Sequence, residues 1–162
     1  MNMVNVRVGF TSTQSGLTQN QKNALHEWLD VRGRYLAEFH HGDCIGGDSD
    51  AHNIVVDRGF GATIRIHPPT DPKKRAFCVA LWENFTARPY LQRNRDIVDM
   101  TDVLIASPRT KEEVLRSGTW ATIRYAKKIG RPVIIFYPCA GPWEWYTRPT
   151  NGDPSIPTIR FE

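Results

Sequence analysis

The sequence predicts one α/β domain built on an open, mostly parallel five-stranded sheet with helices on both faces. Three observations carry that expectation. Short β-branched apolar runs recur tens of residues apart, segments with helical apolar spacing separate them, and Gly, Ser, Thr and Asp gather where the strands end. A chain of 162 residues with 40% hydrophobic residues suits a single folded core.

The first strand is expected over Val4–Phe10, which alternates and is rich in valine. Thr11-Ser12-Thr13 follows as a small polar loop, and Thr18 is placed to cap a helix whose apolar stripe is Ala24, Leu25, Trp28 and Leu29. A weaker alternation over Tyr35–His40 marks the second strand. The glycine-rich stretch from Gly42 leads into a helix over Ser49–Val56, ended by Gly59 and Gly61. Ala62–His67 is the third strand, stopped by Pro68-Pro69.

Between Thr70 and Met100 the composition is mixed, with helices expected over Ala76–Phe85 and Arg93–Met100. Val103–Ala106 is short and wholly apolar, as a buried central strand requires. A helix over Gly118–Lys128 with Gly130 as its C-cap leads to the fifth strand, Pro132–Tyr137. Strands and helices alternating in this way make βαβ units, so the domain is expected to be Rossmann-like over residues 1–138. Residues 139–162 form an aromatic and proline-rich extension, with Trp143, Trp145 and Tyr146 and a candidate edge strand at Thr158–Phe161. Clustered aromatics of this kind pack on the domain or on a partner subunit, so a homo-oligomer is expected.

Composition narrows the function classes. No stretch approaches the roughly 20 apolar residues that span a bilayer, and the polar start lacks a signal-peptide core, so a cytosolic protein with no membrane partner is expected. Cys44, Cys78 and Cys139 are widely spaced and match no zinc or redox motif. His40, His41 and His52 form no metal-ligand pattern, so neither a metal nor a cofactor is expected. The net charge of +4 favours anions without naming one.

In an open parallel sheet the ligand lies beyond the carboxyl ends of the strands, where strand order reverses. With the order 3-2-1-4-5, the loops facing that crevice are Thr11–Thr13, Gly42–Asp50 and Ser107–Ser117. The loop from Gly42 to Asp50 carries Gly42, Asp43, Cys44, Gly46, Gly47 and Asp48. Its glycines permit tight turning and close approach, and Asp48 or Ser49 can cap the helix that follows. The free N–H groups of such a helix start favour an anion. On spacing alone the loop is equally a strand-to-helix turn without a ligand. Ser117-Gly118-Thr119 repeats the chemistry at a second helix start, and taken alone it is an ordinary N-cap.

The segment Gly42-x-x-x-Gly46-x-Asp48-x-x-Ala51-His52 resembles the Gly/Asp/Ala-His loop of the DNA-processing protein A family. Arg93-Asn94-Arg95 before Thr101–Ala106 is similar to that family's Arg-Asn-Arg motif, and Ser117-Gly118-Thr119 to its Ser-Gly-Ser/Thr helix start. Together these segments resemble the SLOG superfamily, which groups DNA-processing proteins, Lonely Guy phosphoribohydrolases and small YpsA-like proteins. The resemblance covers roughly Val4 to Pro138. It implies a site for a nucleotide or nucleotide-derived signalling ligand, lined by Thr11, Ser12, the loop Gly42–Asp48, Arg93, Asn94 and Ser117–Thr119. Arg93 is then the charged clamp, because a guanidinium forks onto phosphate oxygens; without the motif it reads as a surface ion pair with Asp96 or another carboxylate.

Chemistry on that ligand is a separate expectation. Lonely Guy enzymes carry a glutamate in their glycine-rich helix start, and Thr122 stands at that position here. Cleavage of an N-glycosidic bond needs a carboxylate, and Asp43 is the expected catalytic candidate, with a loop aspartate bonded to its own backbone as the alternative. Glu112 and Glu113 read as a solvated helix start. Cys44 could gain acidity at a helix start, but no partner base accompanies it, so it reads as a small loop residue. The alternatives to a nucleotide binder are a single-stranded nucleic-acid module of the DNA-processing type and a phosphoribohydrolase acting on nucleoside monophosphates.

Overall fold

The computed structural model describes residues 5–141 and 144–146. Its strands are β1 (Val6–Ser12), β2 (Leu36–His41), β3 (Ile64–Ile66), β4 (Val103–Ser107), β5 (Val133–Ile135) and β6 (Glu144–Tyr146), and its helices are α1 (Gln19–Arg32), α2 (Gly47–Asp57), α3 (Tyr90–Asp99) and α4 (Gly118–Lys128). The sheet order is β3-β2-β1-β4-β5-β6. The first five strands are parallel, in the expected order, and β6 adds an antiparallel edge in which Trp145 pairs with Ile134. The edge strand expected at Thr158–Phe161 lies outside the described residues.

Alternation within the strands divides the core into two layers. Val103 and Ile105 join Phe10, Phe39, Leu25 and Trp28 on one face, while Leu104 and Ala106 join Trp120, Ile123 and Ile135 on the other. Helices therefore cover both faces, as a wholly apolar β4 requires. Thr18 caps α1 in a reciprocal box: its hydroxyl accepts from the Gln21 amide, and the Gln21 side chain accepts from the Thr18 amide. The buried Gln21 also donates to the carbonyls of Pro108 and Phe136, so the capping residue ties α1 to the loops after β4 and β5.

The helix expected over Ala76–Phe85 is absent. That segment is irregular, with Phe77 at a positive φ of 56°. Long-range partners take its backbone groups. The Cys78 amide donates to the Asp43 carboxylate, the Ala76 amide to the Asp43 carbonyl and the Phe85 amide to the Ile66 carbonyl on the edge strand β3. Its side chains instead alternate: Cys78 and Ala80 pack on the core while Phe77, Val79 and Leu81 point outward. Helix α3 starts at Tyr90, three residues earlier than expected, where Pro89 fixes the entry to the first turn. Helix α2 begins at Gly47, two residues before the expected start.

Candidate functional site

Strand order reverses between β1 and β4, and a cavity of about 640 Å³ opens there beyond their carboxyl ends. Its walls come from the end of β1, the glycine loop, the start of α3 and the loop leading into α4. Of the residues singled out from sequence, Thr11, Ser12, Cys44, Asp48, Arg93, Asn94, Ser117, Gly118 and Thr119 line it. Gly42, Asp43, Gly46 and Gly47 do not.

The glycine loop is held mainly by its own interactions. Asp48, buried in the first turn of α2, accepts from the Ser12 hydroxyl at 2.7 Å, from the Gly42 amide at 3.1 Å and from the Cys44 amide at 3.3 Å. The Gly47 amide donates to the Thr13 carbonyl and the Ile45 amide to the Lys74 carbonyl. Gly46 has a φ of 89°, and a Cβ there would overlap the Gln14 carbonyl. The glycines thus let the loop lie against β1. Several of the amides expected to grip a phosphate already have protein acceptors.

Helix α4 starts differently. Ser117 caps it by accepting from the Trp120 amide at 3.3 Å, and Gly118 and Thr119 in its first turn face the cavity. Lys74, Arg109 and Arg116 line the same cavity, as do Tyr90, Thr13 and Gln14. Asp48 is the one carboxylate among the described lining residues, and burial pushes its pKa up. Positive charge and a helix start therefore face one cavity.

No protein-family model matches the chain, and no curated protein matches it. Its structure is similar to that of DNA processing protein A from Helicobacter pylori, at a TM-score of 0.56 and 16% identity over 82% of this chain and 65% of that one. It is also similar to DNA processing protein A from Streptococcus pneumoniae, at 0.57 and 15% over 80% of this chain and 50% of that one. A structural-genomics protein, TM1055, matches at 0.51 and 19%, over 79% of this chain and 72% of that one. The fold is the Rossmann-like α/β fold that these proteins share. The chain spans 65% and 50% of the two DNA-processing proteins it matches.

Within this Rossmann-like frame the individual roles shift. Arg93 is 3% exposed, and its guanidinium donates to the carbonyls of Gly42 and His67 and to the Cys44 sulfur. A Cβ on Gly42 would overlap that guanidinium. Arg93 reaches the cavity, but both terminal nitrogens are committed to protein acceptors, so it braces the loop where a ligand clamp was expected. The surface ion pair weighed for it belongs to Arg88, which holds Asp96 at 2.9 Å.

Asp43, the expected catalytic carboxylate, is fully buried behind the loop. It accepts from Arg75 Nε at 2.8 Å and from the Cys78 amide at 2.9 Å, and anchors the segment after β3. The Cys44 thiol is pushed up by burial and by Asp48, the opposite of an activated nucleophile. Thr122 donates to the Gly118 carbonyl within its own helix and does not line the cavity. Glu113 pairs with Arg124 on the surface.

His41, His52 and Cys78 each bring one ligand atom within 4.8 Å of the others. Hydrogen bonding assigns the histidines another task. The Asp43 amide donates to His41 Nδ1, so the neutral His41 carries its proton on Nε2 and donates to His52 Nδ1 at 2.9 Å. His52 in turn bonds the Val79 backbone. The chain of bonds joins the glycine loop to the irregular segment. The sequence did not reveal Lys74, Arg109 or Arg116 as lining residues, although both arginines lie in or beside the Ser107–Ser117 loop already assigned to the crevice.

Proposed function

We propose that the crevice binds a nucleotide or nucleotide-derived ligand through its phosphate. The observation that carries this reading is that three cationic side chains, Lys74, Arg109 and Arg116, line the same cavity as Ser117, Gly118 and Thr119 at the start of α4. The cavity volume of about 640 Å³ lies within the roughly 300–1,000 Å³ of small-molecule sites. The phosphate belongs at α4, where hydroxyls, first-turn amides and the helix dipole favour an anion. The Tyr90 ring at the start of α3 carries the Lys74 ammonium 5.2 Å from its centroid and so holds that cation against the cavity. The glycine loop supplies the rigid floor.

Binding is the activity this arrangement supports. Asp48 is the lining carboxylate, and it holds the loop through three hydrogen bonds, so N-glycosidic cleavage would need it to leave those partners. Isothermal titration with nucleoside mono- and diphosphates tests the reading, with matched nucleosides as controls. Phosphorylated ligands should bind and nucleosides should not; equal binding of both would overturn it. Release of free base on prolonged incubation would show turnover.

A second reading has its own observation. Arg109 and Arg116 are exposed at the rim, where a longer polyanion could run past the cavity, and the Helicobacter pylori protein binds single-stranded DNA. Affinity for oligonucleotides that grows with length and falls steeply with salt would favour this reading over a mononucleotide site.

A further inference from the structure

The segment after β3 covers the outer edge of the sheet. The Phe85 amide donates to the Ile66 carbonyl, and Thr70 and Arg88 bond across the segment's two ends through the Arg88 and Pro68 carbonyls. Trp82 Nε1 donates to the Ala62 carbonyl, and the Phe85 ring stacks on His67 at a centroid distance of 4.2 Å. Covering an open edge in this way protects it from pairing. The cover then presents a largely apolar face of its own, with Arg75 over the Phe77 ring and Arg65 over the Trp82 ring. Cys78 and Ala80 turn inward, while Phe77 is 58% exposed, Val79 85%, Leu81 82% and Trp82 55%. Over residues 77–81 this period-two alternation has large hydrophobics on the solvent side, the reverse of what a monomer's surface requires, and Trp82 extends the face out of that register beneath Arg65.

We propose that this face is the contact between two copies of the chain. Large apolar side chains expose roughly 150–250 Å² each when free, so Phe77, Val79, Leu81 and Trp82 at their observed exposure offer on the order of 500 Å². That is most of the ~800 Å² each partner gives to a standard interface. The pattern is also self-complementary. A two-fold axis at Val79 sets the segment antiparallel to itself, with Phe77 against the partner's Leu81 and Val79 against the partner's Val79, as an isologous dimer requires. The inward anchors hold the face in place beforehand: Asp43 fixes Arg75 and Cys78, and His52 bonds the Val79 backbone. A second copy can therefore dock without first ordering the segment.

Light scattering and sedimentation of the full chain across the micromolar range test the proposal. The wild type should run at the mass of two chains. The variant V79D/L81D should run at the mass of one, with unchanged far-ultraviolet circular dichroism and a dimer dissociation constant raised more than about tenfold. A wild type that stays at one chain's mass, or a V79D/L81D variant that still dimerises, would overturn it. If the variant fails to fold, hydrogen exchange on the wild type decides: amides over 77–82 should gain protection as concentration rises. Protection independent of concentration would refute the interface.

Discussion

The Ser12 hydroxyl donates to the Asp48 carboxylate across 2.7 Å, a bond between residues 36 positions apart that locks the end of β1 to the first turn of α2. The same carboxylate gathers the Gly42 and Cys44 amides. Asp48→Ala should leave those two amides without an acceptor and lower stability by about 2–4 kcal/mol, while Ser12→Ala should cost about 1 kcal/mol. Urea denaturation of the two variants measures both. Near-equal losses would mean that the amides find other acceptors.

Arg93 should behave as a structural residue before it behaves as a ligand-binding one. Arg93→Ala removes the donor to the Gly42 and His67 carbonyls inside a packed site and should destabilise by about 2–4 kcal/mol. Arg93→Lys should rescue only a fraction, since one ammonium cannot reproduce the planar fork. A clamp would give the opposite result, with lost affinity at unchanged stability.

The cationic wall makes a complementary prediction. Arg109 and Arg116 are exposed, so replacing either by Ala should move stability by less than about 0.5 kcal/mol. Each loss should weaken a phosphorylated ligand by roughly tenfold, the order of one charge-assisted hydrogen bond. Titrations at two salt concentrations should show a smaller salt dependence in each variant than in the wild type.

The sheet was legible because its signal is local. Valine-rich alternation located β1, and the wholly apolar Val103–Ala106 run located the central strand β4 with its neighbours on both faces. The crevice followed from topology, and the segments facing it were already evident in the positions of Ser, Thr, Gly and Asp. What stayed hidden depends on contacts between distant residues. The apolar run over Ala76–Phe85 reads as a helix until Asp43 and Ile66 are known to hold its amides. Arg93 and Asp43 look like ligand-facing charges until burial shows that their partners are carbonyls, an amide and Arg75. Residue type announced a polar site, and only packing separated the groups that face the ligand from those that hold the loop.

His67, with the similarly lowered His40, His41 and His52, should make the fold acid-sensitive. The Glu38 carboxylate accepts from His40 Nε2 at 2.6 Å, which leaves His40 Nδ1 to accept from His67 Nε2 at 2.8 Å. Both rings are buried, and burial, helped by the neighbouring His40 and Arg93, pushes the His67 pKa down to about 3. Folded His67 therefore stays neutral, while in the unfolded chain it takes a proton near its ordinary 6.5. The unfolded state binds more protons below that value. The contribution is complete above pH ~6.5 and declines as pH falls towards ~3, by about 1.4 kcal/mol per pH unit. His67→Phe removes this proton linkage while keeping a ring to stack on Phe85. Its unfolding free energy should fall less steeply with acid than the wild type's, even if it starts lower. Equal slopes in urea titrations at successive pH values between 7 and 4 would assign the acid sensitivity to another group.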